Sequence, residues 1–254
     1  KEYFLWFTLL STGVFGFFIS TDMFTMFMFY EVALIPMYLL IGVWGTGPKE
    51  YSAMKLTLML MGGSALLILG ILGIYFFNGK YGGTFTFELN EIAKTSTLIP
   101  LAIQKVLFPF IFIGFGVLGA LFPFHTWSPD GHASAPTAVS MLHAGVLMKL
   151  GGYGCFRIAM YLLPQAAHDL AWIFLILTTC SVVYGALSAC VQTDLKYINA
   201  YSSVSHCGMV LFALLMMTQT AITGAVLQML SHGLMTALFF AVIGMIYHRA
   251  GTRD

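Results

Sequence analysis

Eight long apolar runs limit what this chain can fold into more than any other feature of its sequence. A helix that crosses a bilayer needs about 20 mostly apolar residues, because each residue advances the helix by ~1.5 Å. Only 8% of the 254 residues are charged, whereas a soluble domain carries about 25%. The pattern predicts an all-α, multi-pass bundle of transmembrane helices that forms a single domain. The runs lie near residues 3–20, 23–44, 51–77, 106–128, 136–161, 170–191, 197–217 and 221–247.

The stretch from Phe122 to Lys149 interrupts this apolar pattern. The fourth run should break near Pro123, because proline has no backbone N–H and its ring clashes with the preceding helical turn. Polar side chains inside a bilayer need partners or water, since lipid supplies neither. We therefore expect a discontinuous helix near Pro123 in the middle of an ion pathway. The polar residues that follow the break are His125, Asp130, His132, His143 and Lys149.

Two more charged side chains fall inside predicted spans, Glu31 in the second run and Lys55 early in the third. A lone charge at the centre of a span costs about 2.5–3.5 kcal/mol on insertion scales, so such residues tend to pair or to line water. Because the two helices are consecutive, we expect Glu31 and Lys55 to pair. Two interpretations stay open: a static salt bridge that fixes helix packing, and a switchable pair whose separation changes the proton affinity of Glu31.

Lys149 lies deep in the fifth run, ~20 Å from the predicted helix start at ~1.5 Å per residue. That depth argues against an ammonium group that simply reaches the interface. A buried lysine without an acidic partner can be neutral part of the time, which suits a proton carrier. His143, His206 and His232 also fall inside runs, and imidazole both donates and accepts protons near neutral pH. Plain packing is the alternative role for each histidine.

Cysteine spacing and net charge argue against two other kinds of site, and one connection has a recognisable character. All four cysteines lie inside apolar runs and lack the short spacing of zinc or iron–sulfur ligands, so no metal site is expected. A net charge of +1 gives no reason to expect nucleic-acid binding. The connection over residues 78–104 carries Glu88, Glu91 and Lys94, and we expect an interfacial segment there.

Four motifs make the sequence similar to a known family. They read FYEVALIPMYLLIGVWG, HTWSPDGHASAPTAVSMLHAGVLMKLGGYG, TDLKYINAYSSVSHCGMV, and QMLSHGL followed later by HRAGTRD. They resemble the antiporter-like proton-pumping subunits of respiratory complex I (NADH–quinone oxidoreductase), of the chain M or subunit 4 type. The resemblance covers essentially the whole chain. It implies a fragment that corresponds to about eight central helices, the fourth to the eleventh, of a fourteen-helix subunit.

The resemblance implies roles for particular residues. Glu31 and Lys55 match the family's paired residues of the fifth and sixth helices, and Lys149 matches the lysine of the eighth. His206 and His232 match later histidines of the proton pathway. The family usually has a lysine at the break of the seventh helix, where this chain has Leu118. We hypothesise that His143, together with His125, takes over the relay beside Lys149.

The implied function is a proton-translocating membrane subunit of an enzyme complex, with no catalytic or cofactor-binding residues in this chain. NADH, FMN, iron–sulfur clusters and quinone would bind to partner subunits. The expected partners are lipid and other membrane subunits of complex I, especially neighbouring antiporter-like subunits. The expected location is an energy-transducing membrane, first of all the bacterial inner membrane. The alternatives are a subunit of a multi-subunit cation/proton antiporter or of a membrane-bound hydrogenase, and a purely structural helical scaffold. The sequence leaves the choice between H⁺ and Na⁺ open.

Overall fold

A computed structural model describes residues 1–253, and the described part is helical throughout, without a β-strand. Seven of the described helices are long and apolar enough to cross a bilayer. They are α1 (Glu2–Ile19), α2 (Met23–Trp44), α3 (Lys49–Gly82), α5 (Leu101–Leu118), α9 (Pro164–Cys190), α10 (Leu195–Leu215) and α11 (Gln219–Ala250). Between α3 and α5 lies the short α4 (Leu89–Thr95), and after α5 comes α6 (Trp127–Ser134). The predicted all-α transmembrane bundle is confirmed.

The fifth predicted span is a composite helix, because two π-helical segments interrupt it. It runs through α7 (Thr137–Leu142), the first π segment (His143–Leu147), α8 (Met148–Gly154) and the second π segment (Cys155–Met160). A π segment holds an extra residue within a helical turn and occurs frequently at functional sites. The sequence pattern gave no indication of either segment.

The break in the fourth span begins earlier than predicted. Helix α5 ends at Leu118, ahead of Pro123, because a Schellman-type cap closes it. The Leu121 N–H donates to the Gly116 carbonyl at 2.8 Å, and the Ala120 N–H donates to the Val117 carbonyl at 3.1 Å. Ala120 adopts the left-handed conformation (φ 55°) that such a cap requires. The proline therefore follows a helix end that the backbone has already formed.

Other boundaries follow from local chemistry. Helix α9 begins at Pro164 rather than near residue 170, because proline is well suited to the first turn of a helix. Asp22 caps α2 through its side chain, which accepts the Thr25 N–H at 2.8 Å. The predicted interfacial segment contains α4, which buries Leu89 and Ile92.

The broken helix and the composite helix pack at the centre of the bundle. Helix α6 contacts α3 on one side and α10 on the other, and the composite helix contacts α5 and α11. The contact with α5 requires glycine at Gly151, because an added Cβ would lie 2.5 Å from the Gly119 backbone nitrogen. The polar residues near the break are thus enclosed by long apolar helices.

Candidate functional site

Lys149 lies in α8, directly after the first π segment, and only 6% of it is exposed. Its ammonium group donates to the carbonyl of Ala144, a residue of that π segment. No carboxylate forms an ion pair with it among residues 1–253. Lys149 and His232 line one small cavity together with Cys207 and Met229. The structure therefore gives the predicted central lysine an imidazole neighbour and no counter-charge in the described chain.

A polar seam runs between α10 and α11, made of Ser203, His206, Gln228, His232 and Thr236. The imidazole rings of His206 and His232 lie 4.9 Å apart between centroids. Gln228 Nε2 and His206 Nδ1 are in hydrogen-bond contact at 2.9 Å, and Thr236 Oγ1 contacts His232 Nε2 at 3.1 Å. The hydroxyls of Ser203 and Thr236 lie 3.4 Å apart. The seam links the two histidines that the family resemblance places late in the pathway.

Lys55 forms its ion pair with Asp130 and not with Glu31. Its Nζ lies 2.7 Å from Asp130 Oδ2, and the Tyr197 hydroxyl donates to Asp130 Oδ1 at 3.2 Å. Glu31 Oε1 is buried and has no hydrogen-bond partner in the described chain. The expected Glu31–Lys55 pair is therefore wrong for this conformation.

The register of α2 against α3 explains this correction. The Tyr30 hydroxyl donates to the Leu60 carbonyl at 3.0 Å, and Gly42 packs against Ala53. This antiparallel register sets Lys55 one or two helical turns from Glu31, or ~6–13 Å along the helix axis at ~1.5 Å per residue. Consecutive helices are neighbours, but the sequence does not fix which of their residues meet.

The histidines of the break fall into two separate groups. His125 packs against Phe122 and Tyr184, with ring centroids 5.5 and 4.9 Å away. His143 instead contacts the indole of Trp127 at 5.3 Å and the imidazole of His132 at 4.4 Å. The rings of His125 and His143 therefore lie in different clusters, and their joint relay beside Lys149 stays a prediction.

Leu118, the residue at the usual lysine position, is fully buried at the end of α5. The neighbouring Val117 carbonyl accepts the Trp127 indole N–H at 3.0 Å. The end of α5 is therefore tied directly to the ring that stacks on His143.

Sequence reasoning missed a pair of cations at the end of α6. Lys196, which falls between the sixth and seventh apolar runs, is 5% exposed and donates to the Ala135 carbonyl at 2.6 Å. Arg253 donates to the Ala133 carbonyl at 3.1 Å and pairs with Asp194 at 3.1 Å. Helices end with unpaired carbonyls, which cations satisfy well. Lys196 follows the helix cap Asp194 by two residues, and this placement in the first turn of α10 was the available signal.

These features define a class of protein: multi-pass membrane proteins in which buried titratable side chains lie around a broken helix in the bilayer interior. The chain belongs to the NADH:quinone oxidoreductase/Mrp antiporter transmembrane family, whose model matches residues 20–254. It is 38% identical over 254 residues to the NADH-quinone oxidoreductase subunit M of Rickettsia bellii, covering 100% of this chain and 50% of that protein. The chain thus spans about half the length of the curated relatives it matches.

Solved structures agree with this assignment. A chain of respiratory complex I from Thermus thermophilus with bound NADH superposes with a TM-score of 0.92 at 25% identity, covering 100% of this chain and 53% of that chain. A chain of the membrane-bound sulfane sulfur reductase, an archaeal respiratory membrane complex, superposes with a TM-score of 0.90 at 29% identity, covering 99% and 51%. The predicted family resemblance is confirmed.

Proposed function

We propose that this chain forms the central part of a proton-translocating membrane subunit of an NADH–quinone oxidoreductase. The observation that carries the proposal is the position of Lys149, which is buried without a counter-charge in the described chain and shares a cavity with His232. A lysine with an imidazole beside it in the same cavity is suited to pass a proton on. The relatives' names supply the complex in which this would occur.

Proton entry would occur at Lys55 and Asp130. Lys55 bonds one oxygen of Asp130, while the buried Glu31 oxygen has no partner in the described chain. The lysine side chain can reach toward Glu31 only if it releases Asp130. A move of Lys55 from Asp130 to Glu31 would change the proton affinity of both carboxylates, because a nearby ammonium stabilises a carboxylate's charged form. Lys55 thus has two alternative partners on two different helices.

The proton would then pass from Lys149 to the polar seam. In each transfer an N–H or O–H bond of the donor breaks and one of the acceptor forms, so the chain itself makes no other covalent change. His232 shares the cavity with Lys149, and its ring lies 4.9 Å from that of His206. Hydroxyls at Thr236 and Ser203 extend the seam along the same helices.

Electron transfer belongs to other subunits in this proposal. NADH, FMN, iron–sulfur clusters and quinone are bound there, and this chain binds none of them. Its partners are lipid and the other membrane subunits, in particular neighbouring antiporter-like subunits. The membrane is an energy-transducing one, and the Rickettsia relative favours the bacterial inner membrane.

The test uses the full-length protein in its complex, in membrane vesicles. We expect Lys149→Met to abolish NADH-driven proton uptake while the complex still assembles. The matched control is Lys94→Met, because Lys94 is an exposed lysine of α4 that pairs only locally with Glu91. Normal proton uptake in an assembled Lys149→Met complex would overturn the proposal and favour the structural scaffold.

A second candidate function is cation/proton exchange within a multi-subunit antiporter or a related membrane complex. It is favoured by the description of the family, which includes Mrp antiporters, and by the match to the sulfane sulfur reductase complex. Proton movement that needs an opposing Na⁺ gradient and proceeds without NADH would select this candidate. Proton uptake that needs NADH and is unchanged when Na⁺ is replaced by choline would exclude it.

A further inference from the structure

Four aromatic rings form a continuous stack beside the helix break, in the order Trp127, His143, His132 and Phe240. The centroid separations along it are 5.3, 4.4 and 5.3 Å. The rings come from α6, from the first π segment and from α11, so the stack joins three separate parts of the fold. Hydrocarbon packing alone does not require imidazole at its two central positions.

The two imidazoles are fully buried, and all four of their ring nitrogens lack a hydrogen-bond partner among residues 1–253. A buried polar atom without a partner is costly, so such groups are rare in folded proteins. Four of them on two adjacent rings is a strong departure from that rule. Departures of this kind occur where function requires the polar group.

We propose that His132 and His143 act as one proton-holding unit, in which a single proton resides on either imidazole of the pair. This inference rests on the proposed function and extends it to two buried residues that the proposed pathway does not use. One proton is the limit, because two imidazolium ions stacked 4.4 Å apart would repel each other strongly. Transfer within the unit breaks an N–H bond on one ring and forms one on the other, and the total charge stays the same.

The position of the unit gives the proton a route onward. His143 is adjacent in sequence to Ala144, whose carbonyl holds the ammonium group of Lys149. On the other side, the backbone carbonyl of His132 accepts the Ser140 hydroxyl at 3.1 Å, which fixes α6 against α7. The unit therefore joins the second half of the broken helix to the composite helix that carries the predicted central lysine.

The test replaces each imidazole by a ring that keeps the stack but cannot carry a proton. In the assembled complex, we expect His132→Phe and His143→Phe each to lower the number of protons translocated per NADH oxidised. Because the two rings act as one unit, the double variant should be no worse than the more severe single variant. His132→Gln and His143→Gln serve as second variants if phenylalanine prevents assembly.

A spectroscopic readout separates proton holding from packing. Infrared difference spectra of the complex with ring-¹⁵N-labelled histidine should contain an imidazole protonation band that changes in each single variant and disappears in the double variant. The control Phe240→Leu disturbs the stack without removing a nitrogen and should keep that band. Parental stoichiometry in either phenylalanine variant, or losses that multiply in the double variant, would overturn the inference.

The two proposals fail differently. If Lys149→Met abolishes proton uptake while both phenylalanine variants pump normally, only the imidazole pair is excluded. If Lys149→Met itself pumps normally, the proton pathway as a whole is wrong, and the pair loses its role with it.

Discussion

Lys55 and Asp130 are 75 residues apart in sequence, yet their side chains meet at 2.7 Å. This ion pair ties α3 to the second half of the broken helix. Both side chains are about one-quarter exposed, at 24% and 26%. A partly exposed pair contributes at most about 1 kcal/mol to stability, so its loss should leave the fold intact.

We therefore expect Asp130→Asn to slow proton translocation without preventing assembly. The asparagine can still accept the Tyr197 hydroxyl but no longer attracts the Lys55 ammonium, so Lys55 loses one of its two alternative partners. Vesicle proton uptake at matched NADH oxidation measures the effect. The control Tyr197→Phe removes the hydrogen bond to Asp130 at 3.2 Å, worth about 1.5–3 kcal/mol for a charged acceptor, but leaves both charges of the ion pair, and it should pump at close to the parental rate. Equal defects in the two variants would argue against the charge as the cause.

The seam between α10 and α11 should depend on a hydroxyl at Thr236. Thr236→Val keeps the shape of the side chain but removes its contacts with Ser203 and His232. We expect reduced proton uptake with unchanged NADH binding and assembly. Thr223→Val is the matched control, because Thr223 also lies in α11 and bonds only to the Gln219 carbonyl of its own helix. A normal rate in Thr236→Val would show that the seam is not used.

Gly151 should tolerate no side chain. An added Cβ would lie 2.5 Å from the Gly119 nitrogen and 2.7 Å from the Phe115 carbonyl oxygen, and both belong to backbone that cannot move aside easily. We expect Gly151→Ala to destabilise the protein by about 1–3 kcal/mol. Gly62→Ala in α3 meets nothing within 4 Å and should be neutral or slightly stabilising. Thermal unfolding of the purified complex compares the two.

The cations at the end of α6 should hold that helix in place. Lys196→Met leaves the Ala135 carbonyl without its partner, which costs about 1–3 kcal/mol for a buried group. We expect faster hydrogen exchange in the segment that follows α6. Lys105→Met is the control, because Lys105 lies in α5 and pairs with Asp169 at a more exposed position. Identical exchange in the Lys196 variant and the parent would contradict this role.

The sequence predicted what depends on local chemistry. Apolar length located the helices, and Asp22 and Asp194, which are of a residue type that favours helix starts, cap two of them. It failed where three-dimensional register decides the outcome. The partner of Lys55 depends on how α2, α3 and α6 align, and no local pattern records that alignment.

His132 shows the same limit in a different way. It belonged to the polar stretch after the break, but no single-residue signal distinguished it from its neighbours. Its importance comes from the ring of His143, eleven residues later, and from Phe240 on the last helix. The sequence pointed to Lys149, His206 and His232 as candidates because titratable residues inside apolar runs are conspicuous by themselves. Their neighbours were set by tertiary packing.

The first π segment has a consequence for the angular phase of the composite helix. An inserted residue turns everything before it by ~100° relative to everything after it, compared with an uninterrupted α-helix. His143, at the start of the segment, and Lys149, just after its end, therefore face directions that a regular helix would not combine. Shortening the segment by one residue would swing one of the two groups away from its neighbours, although every amino acid involved in proton handling would still be present.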